Sequence, residues 1–296
     1  MRYILLSIFL LSFPLYGETL GDVISEKTYQ VPDTIEMRTY KDVVLNCGKA
    51  GEGLFTVSLP EKIPPEGLPC ILIIGGLKTG RESLQFIPDH KEFALVAYEY
   101  PEMLKLLHKI NVFWNLYSVR KGALDVPPEI ITIIKYLQKQ PWINNEPISL
   151  MGYSFGATFM PAIYVDAEKE GIDLGPGVMA YGGAGIYCLF KANLPFPNFL
   201  KRPLASMAAA LFKPIDPILY APHMKGEFLI INGLYDSKIP MECAHRLQNL
   251  VPEPKTIINL ETGHMHPDKK ELNLRLIKIS RDWLEEKINS SKQESS

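Results

Sequence analysis

The sequence predicts an α/β fold: a mainly parallel β-sheet covered on both faces by helices. Three observations predict it. Short, unbroken apolar runs recur along the chain, amphipathic stretches of helical period lie between them, and the turn Gly152-Tyr153-Ser154-Phe155-Gly156 joins one such run to one such stretch. A strand buried on both faces of a parallel sheet reads as a continuous apolar run, and strands alternating with helices imply that architecture.

The elements follow in chain order. Residues 1–17 begin Met1-Arg2 and continue through an apolar stretch ended by Pro14 and Gly17. One positive charge before a short apolar run is the layout of a secretory leader, and the stretch is too short for a comfortable membrane span. The expected location is therefore outside the cytoplasm, secreted or periplasmic, or membrane-anchored if the leader is retained; no stable span remains once it is removed. Residues 41–46 and 53–59 read as an antiparallel hairpin around a Gly-rich turn. A proline-rich connection over 60–69 leads to the buried strand 70–74, and similar runs recur at 93–98, 148–151, 177–181, 228–231 and 256–260. Ile130, Ile131, Ile134 and Leu137 form one helical face, and Ala244, Leu247 and Leu250 another. A closing helix with Leu272, Leu274, Leu276, Ile277 and Trp283 is expected to fray into a disordered polar tail over 290–296. Residues 18–296 thus form a single expected domain.

Composition narrows the function classes. A hydrophobic content of 47% and a charged content of 22% suit a globular chain with a sizeable core. The net charge of -2 gives no electrostatic case for nucleic acid, so a small ester or acyl substrate is the expected partner; oligomeric state is not legible. Four cysteines, Cys47, Cys70, Cys188 and Cys243, allow three full pairings. None has metal-site spacing, and Cys70 opens an apolar strand as a small hydrophobe does.

Two insertions interrupt the rhythm. Residues 101–125 carry Met103, Leu104, Leu107, Phe113, Trp114 and Tyr117; residues 186–222 carry Phe190, Leu194, Phe196, Phe199, Met207, Leu211 and Phe212. Both leave from carboxyl ends of strands, where open α/β sheets bind ligands. They are lid elements over an apolar acyl pocket, or segments packed onto the body.

The Gly-x-Ser-x-Gly turn is weak alone, but its strand-then-helix context makes Ser154 a candidate nucleophile. A serine hydroxyl needs a base in hydrogen-bond reach, and the base needs an orienting acid. Asp236 follows the run 228–231, and His264 follows 256–260, so serine, acid and histidine stand at ends of different strands in that order. Glu261 is a rival acid and His266 a rival base, while His90, His108, His223 and His245 lack such placement. An oxyanion needs donors; the Phe155 N–H and the Leu77 N–H in the loop 75–80 are the candidates. The glycines of that loop match neither a dinucleotide nor a Walker-type phosphate pattern. Pro161, inside the helix expected after Ser154, should kink that helix or end its regular bonding.

These residues together resemble the α/β-hydrolase superfamily over nearly the whole chain after residue 17. The passage from Asp125-Val126 through Pro141-Trp142 to Ala157 looks like the dienelactone-hydrolase and prolyl-oligopeptidase-like branch, and residues 225–240 are similar to its strand and acid loop. The resemblance implies about eight strands with the second antiparallel, a lid insertion after the sixth, and the triad Ser154, Asp236 and His264. Serine in place of the cysteine of dienelactone hydrolases argues against that exact reaction, and no propeller domain is present to support peptide cleavage. The expected activity is ester hydrolysis through an acyl-enzyme, without metal or organic cofactor. Thioester hydrolysis or acyl transfer would use the same parts, and a non-catalytic binding protein on this fold is the reading from another class.

Overall fold

The computed structural model describes residues 19–33, 36–87, 92–108 and 115–294, with side chains to Ser290. The expected leader over 1–17 lies outside the described residues, as do His90, Phe113 and Trp114.

One nine-stranded sheet organises the chain, in the order β1-β2-β3-β5-β4-β6-β7-β8-β9. Its strands are β1 (Val23–Pro32), β2 (Met37–Asn46), β3 (Glu52–Leu59), β4 (Cys70–Ile74), β5 (Ala94–Glu99), β6 (Ile148–Tyr153), β7 (Leu174–Ala180), β8 (Phe228–Gly233) and β9 (Lys255–Leu260). β1, β2, β3 and β5 pair antiparallel, whereas β5, β4 and β6 to β9 pair parallel. The expected hairpin is β2–β3, and β3 is the strand that runs against its parallel neighbours. β1 is one strand more than the sequence predicts. It is exposed along nearly its whole length, so it carries no apolar run to announce it.

Helices cover both faces. Alternate residues of the central strands separate into two cores, with Leu72 and Ile74 on one side and Ile71 and Ile73 on the other. The first core is closed by α1 (Leu116–Leu137), α2 (Phe155–Lys169) and α6 (Met241–Leu250), and the second by α7 (Lys270–Glu294). The second insertion folds as α3 (Ile186–Asn193), α4 (Asn198–Phe212) and α5 (Pro217–Tyr220).

Three expectations need correction. α7 continues to Glu294, so the tail expected from Ser290 is helical over its described part. α1 begins at Leu116 and runs through Pro127 and Pro128, which places Tyr117 of the first insertion on a helix with its ring 79% exposed. α2 likewise runs through Pro161 to Lys169. Pro161 removes the N–H that would reach the carbonyl of Ala157, so the regular bonding is interrupted there as expected, but the helix does not end.

Candidate active site

The site is assembled at the carboxyl ends of β6, β8 and β9. Ser154 ends β6 at φ 53° and ψ -109° and caps α2. A non-glycine residue there costs about 1–3 kcal/mol and persists only where its surroundings hold it. Its N–H is held by the carbonyl of Ala180 on β7, 2.8 Å away. The flanking glycines show why the turn needs them. A Cβ on Gly156 would stand 1.9 Å from the Ile74 carbonyl oxygen, and one on Gly152 would stand 2.5 Å from Cγ of Met160. The elbow is a wedge between β4 and its own helix, with no room for methyl groups.

Ser154 Oγ lies 2.8 Å from His264 Nε2. The other ring nitrogen, Nδ1, lies 2.7 Å from Asp236 Oδ2. The second carboxylate oxygen, Oδ1, accepts the backbone N–H groups of Lys238 at 2.7 Å and Ile239 at 2.9 Å. A carboxylate so held accepts the hydrogen bond of Nδ1–H, which keeps the proton on Nδ1 and leaves the Nε2 lone pair facing the serine hydroxyl. The structure thus brings together the three residues that chain order singled out. Among the rivals, Glu261 is exposed, and His266 is exposed beside Asp268 at 3.0 Å. His223 and His245 are exposed far from this arrangement in sequence and make no bond to it.

Phe155 is the first residue of α2, and the first N–H groups of a helix have no acceptor within it. The loop after β4 closes on the Gly76 carbonyl, which accepts the N–H groups of Thr79 at 3.0 Å and Gly80 at 2.9 Å. Leu77 lies inside that turn, and its N–H donates to no backbone acceptor among the described residues. A Cβ on Gly75 would lie 2.9 Å from the Gly80 carbonyl oxygen, so the loop is packed against itself. Tyr100 fixes it from below, its hydroxyl donating to the Gly75 carbonyl at 2.7 Å.

Sequence reasoning missed Tyr181. It follows β7 at φ 56°, the other positive-φ residue besides Ser154 that is not glycine among those described. Its ring meets the His264 imidazole at 89°, centroids 5.5 Å apart, and its hydroxyl pairs with Thr262 Oγ1 at 2.6 Å. The Tyr181 N–H is anchored to the Ile231 carbonyl at 2.6 Å. Only the Gly-Gly sequence that follows hints at an unusual backbone there.

The second insertion is tied to this edge. Asn193 at the end of α3 donates to the Lys238 carbonyl at 2.7 Å. A disulfide joins Cys188 of α3 to Cys243 of α6, with Cα atoms 6.1 Å apart. Cys47 and Cys70 are free and buried. Burial pushes the Cys47 thiol up to about 11 and that of Cys70 further. Among the described residues no cluster of His, Cys, Asp or Glu could hold a metal ion, and no helix is long and apolar enough to cross a membrane.

No family model matches the chain, and no curated protein does. Solved structures do. An acetyl xylan esterase from Paenibacillus superposes with a TM-score of 0.61 at 16% identity, covering 86% of this chain and 88% of that one. A putative dienelactone hydrolase from Klebsiella pneumoniae gives 0.53 at 12% identity, over 86% of this chain and 96% of that one. The Pyrococcus horikoshii acylaminoacyl peptidase gives 0.59 at 15% identity, over 90% of this chain but 42% of its own. With its mostly parallel mixed sheet covered by helices and these superpositions, the chain has the α/β-hydrolase fold.

Proposed function

We propose that the chain is a serine hydrolase that cleaves carboxylic esters of small molecules. The observation that carries this is the unbroken line of hydrogen bonds from Ser154 through His264 to Asp236, at 2.8 and 2.7 Å. Ser154 Oγ attacks the ester carbonyl carbon while His264 Nε2 takes the hydroxyl proton. The carbonyl oxygen becomes an oxyanion that accepts the N–H groups of Phe155 and Leu77. As the tetrahedral intermediate collapses, His264 returns the proton to the leaving alcohol. Water then enters and attacks the acyl carbon while Nε2 takes its proton, and as the C–Oγ bond breaks Nε2 returns that proton to Ser154 Oγ, releasing the acid. Asp236 holds Nδ1–H throughout and stabilises the imidazolium.

The acetyl xylan esterase is matched over 88% of its length and the acylaminoacyl peptidase over 42% of its own, which supports an ester over a peptide bond. The disulfide supports an oxidising compartment, in keeping with export by the N-terminal residues. Coenzyme A thioesters are intracellular, which places thioester hydrolysis second.

The test is Ser154→Ala on p-nitrophenyl esters of rising acyl length. The expected outcome is a loss in kcat on the order of 10⁴-fold or more with KM little changed. A fluorophosphonate should label the native chain at Ser154 and leave the variant unlabelled. Full turnover by the variant would overturn the proposal, and so would a native chain that neither turns over any ester nor takes the label. Because Nε2 must be neutral to accept the proton, activity should also fall in acid.

A further inference from the structure

α4 is apolar on two opposite sides. Ala205, Ala208 and Phe212 face the body and are buried, with Phe212 stacked on Phe190 of α3 at 5.6 Å between centroids. On the far side Phe199, Pro203, Met207 and Ala210 recur at helical spacing and all are exposed, Phe199 by 74% and Met207 by 43%. A surface helix ordinarily turns its charged side outward. Here the outward stripe holds no charge; Arg202 and Lys213 stand exposed at its flank, while Lys201 lies on the side of Ala205 and Ala208 and is half-buried. Lys201 and Arg202 of α4 and Lys191 of α3 surround Phe199 in one shallow hollow with Asn198. Residues 186–213 carry Lys191, Lys201, Arg202 and Lys213 and no Asp or Glu, in a chain whose net charge is -2. None of the four makes an ion pair among the described residues.

We infer that the outer face of α4 docks on an anionic lipid surface. An apolar stripe with Phe on it, bordered by Lys and Arg, matches what a helix lying in a bilayer interface presents. The long basic side chains would lie along the surface and reach the headgroups while Phe199 and Met207 enter the acyl boundary. A second copy of this chain is a poorer occupant. A two-fold contact would set the same patch against itself, and the four cations would then face four cations, which repels. The insertion leaves β7 at the sheet edge that carries Ser154, and Asn193 bonds to the loop of Asp236 at Lys238. Docking through α4 would therefore bring that rim towards the lipid. The docking face requires no reaction and stands apart from the catalytic proposal.

The experiment uses the full chain with Phe199→Trp as a local reporter, so that it reads α4 whatever the N-terminal apolar residues do. The probes are vesicles of pure phosphatidylcholine and vesicles with about one quarter phosphatidylglycerol, each also prepared with brominated acyl chains. The expected result is a blue shift and quenching of the new indole with the anionic vesicles, weakened by high salt. Arg202→Gln with Lys213→Gln should raise the lipid concentration needed by roughly 25-fold, about fivefold for each cation near the surface. Turnover of a soluble ester and the melting temperature, unchanged in these variants, show that they fold. Failure of that turnover in the parent chain bears on the catalytic proposal alone. The inference is overturned if the indole neither shifts nor quenches. It is equally overturned if pure phosphatidylcholine binds as well, or if the shift arises without lipid as the chain self-associates.

Discussion

Two carboxyl groups are buried among the described residues, Asp236 and Glu129, and their surroundings are opposite. Asp236 stands at the rim of the sheet and receives three N–H donors: the imidazole Nδ1 and the backbone groups of Lys238 and Ile239. Glu129 stands on the inner face of α1, 1% exposed, and its side chain accepts the Tyr98 hydroxyl. With an apolar core around it, desolvation raises its pKa to about 8, against the lowering effect of the Tyr98 bond. Burial alone therefore does not make an acid catalytic. Asp236 lies where a carboxylate with several donors can hold a base in line with a nucleophile, whereas Glu129 sits in the core and its hydroxyl partner, Tyr98, is itself buried away from any substrate.

The comparison breaks most sharply at Asp236. Asp236→Asn keeps the shape of the side chain but favours the wrong imidazole tautomer, and kcat should fall on the order of 10⁴-fold with the fold intact. Steady-state kinetics beside a melting curve check it; a loss under tenfold would leave Asp236 a turn residue. Glu129→Gln should leave kcat within about twofold, since nothing reacts there. Between those two lies Tyr181, which touches the base without touching the acid. Tyr181→Leu should lower kcat by about tenfold by loosening the ring of His264, with labelling by a fluorophosphonate slowed in parallel. Tyr181→Phe keeps the edge-to-face contact and should recover most of that loss.

The smallest and most diagnostic effect is on stability against pH. The pKa of Glu129 in the folded chain, about 8, lies above its ordinary value of 4.5. The folded protein thus keeps a proton that the unfolded chain releases. Its contribution is complete below about pH 4.5, shrinks as pH rises, and is gone above about pH 8. Glu129→Gln carries no proton to lose. Denaturant titrations should find the variant and the parent similar near pH 5 and the variant more stable near pH 8, by about 1–3 kcal/mol. Parallel pH dependence in the two proteins would show that Glu129 is ionised in the folded chain.

Much of the fold and the core of the site were legible in sequence, for one physical reason. A parallel strand buried on both faces must be apolar throughout, so β4 to β8 announce themselves, and Ser154 and Asp236 each follow such a run; His264 follows β9, an edge strand that is largely exposed and was legible only because Ile257, Ile258 and Leu260 are apolar. β1 was not legible, because an exposed edge strand carries mixed polarity and no periodicity. Tyr181 escaped for a different reason: its positive φ is a property of the backbone that the residue type does not declare. The disulfide escaped too, since Cys188 and Cys243 are separated by 55 residues and belong to different elements. α4 shows a further limit. Spacing identified Phe199 and Met207 as apolar positions of the insertion, but spacing on a helix with two apolar sides does not say which side faces inward.

The bridge between Cys188 and Cys243 has a practical consequence for anyone who makes this protein. It staples the first helix of the insertion to the helix that follows the acid loop, so the root of the insertion is fixed. Production in a reducing host would leave that staple open while Ser154, His264 and Asp236 still assembled. Such material would keep the site yet hold its insertion loosely, and on the proposed reading preparations of mixed redox history would disagree about substrate range. The two remaining thiols, sealed in the core, offer no competing partner once the chain has folded, so mild oxidation should restore a single species.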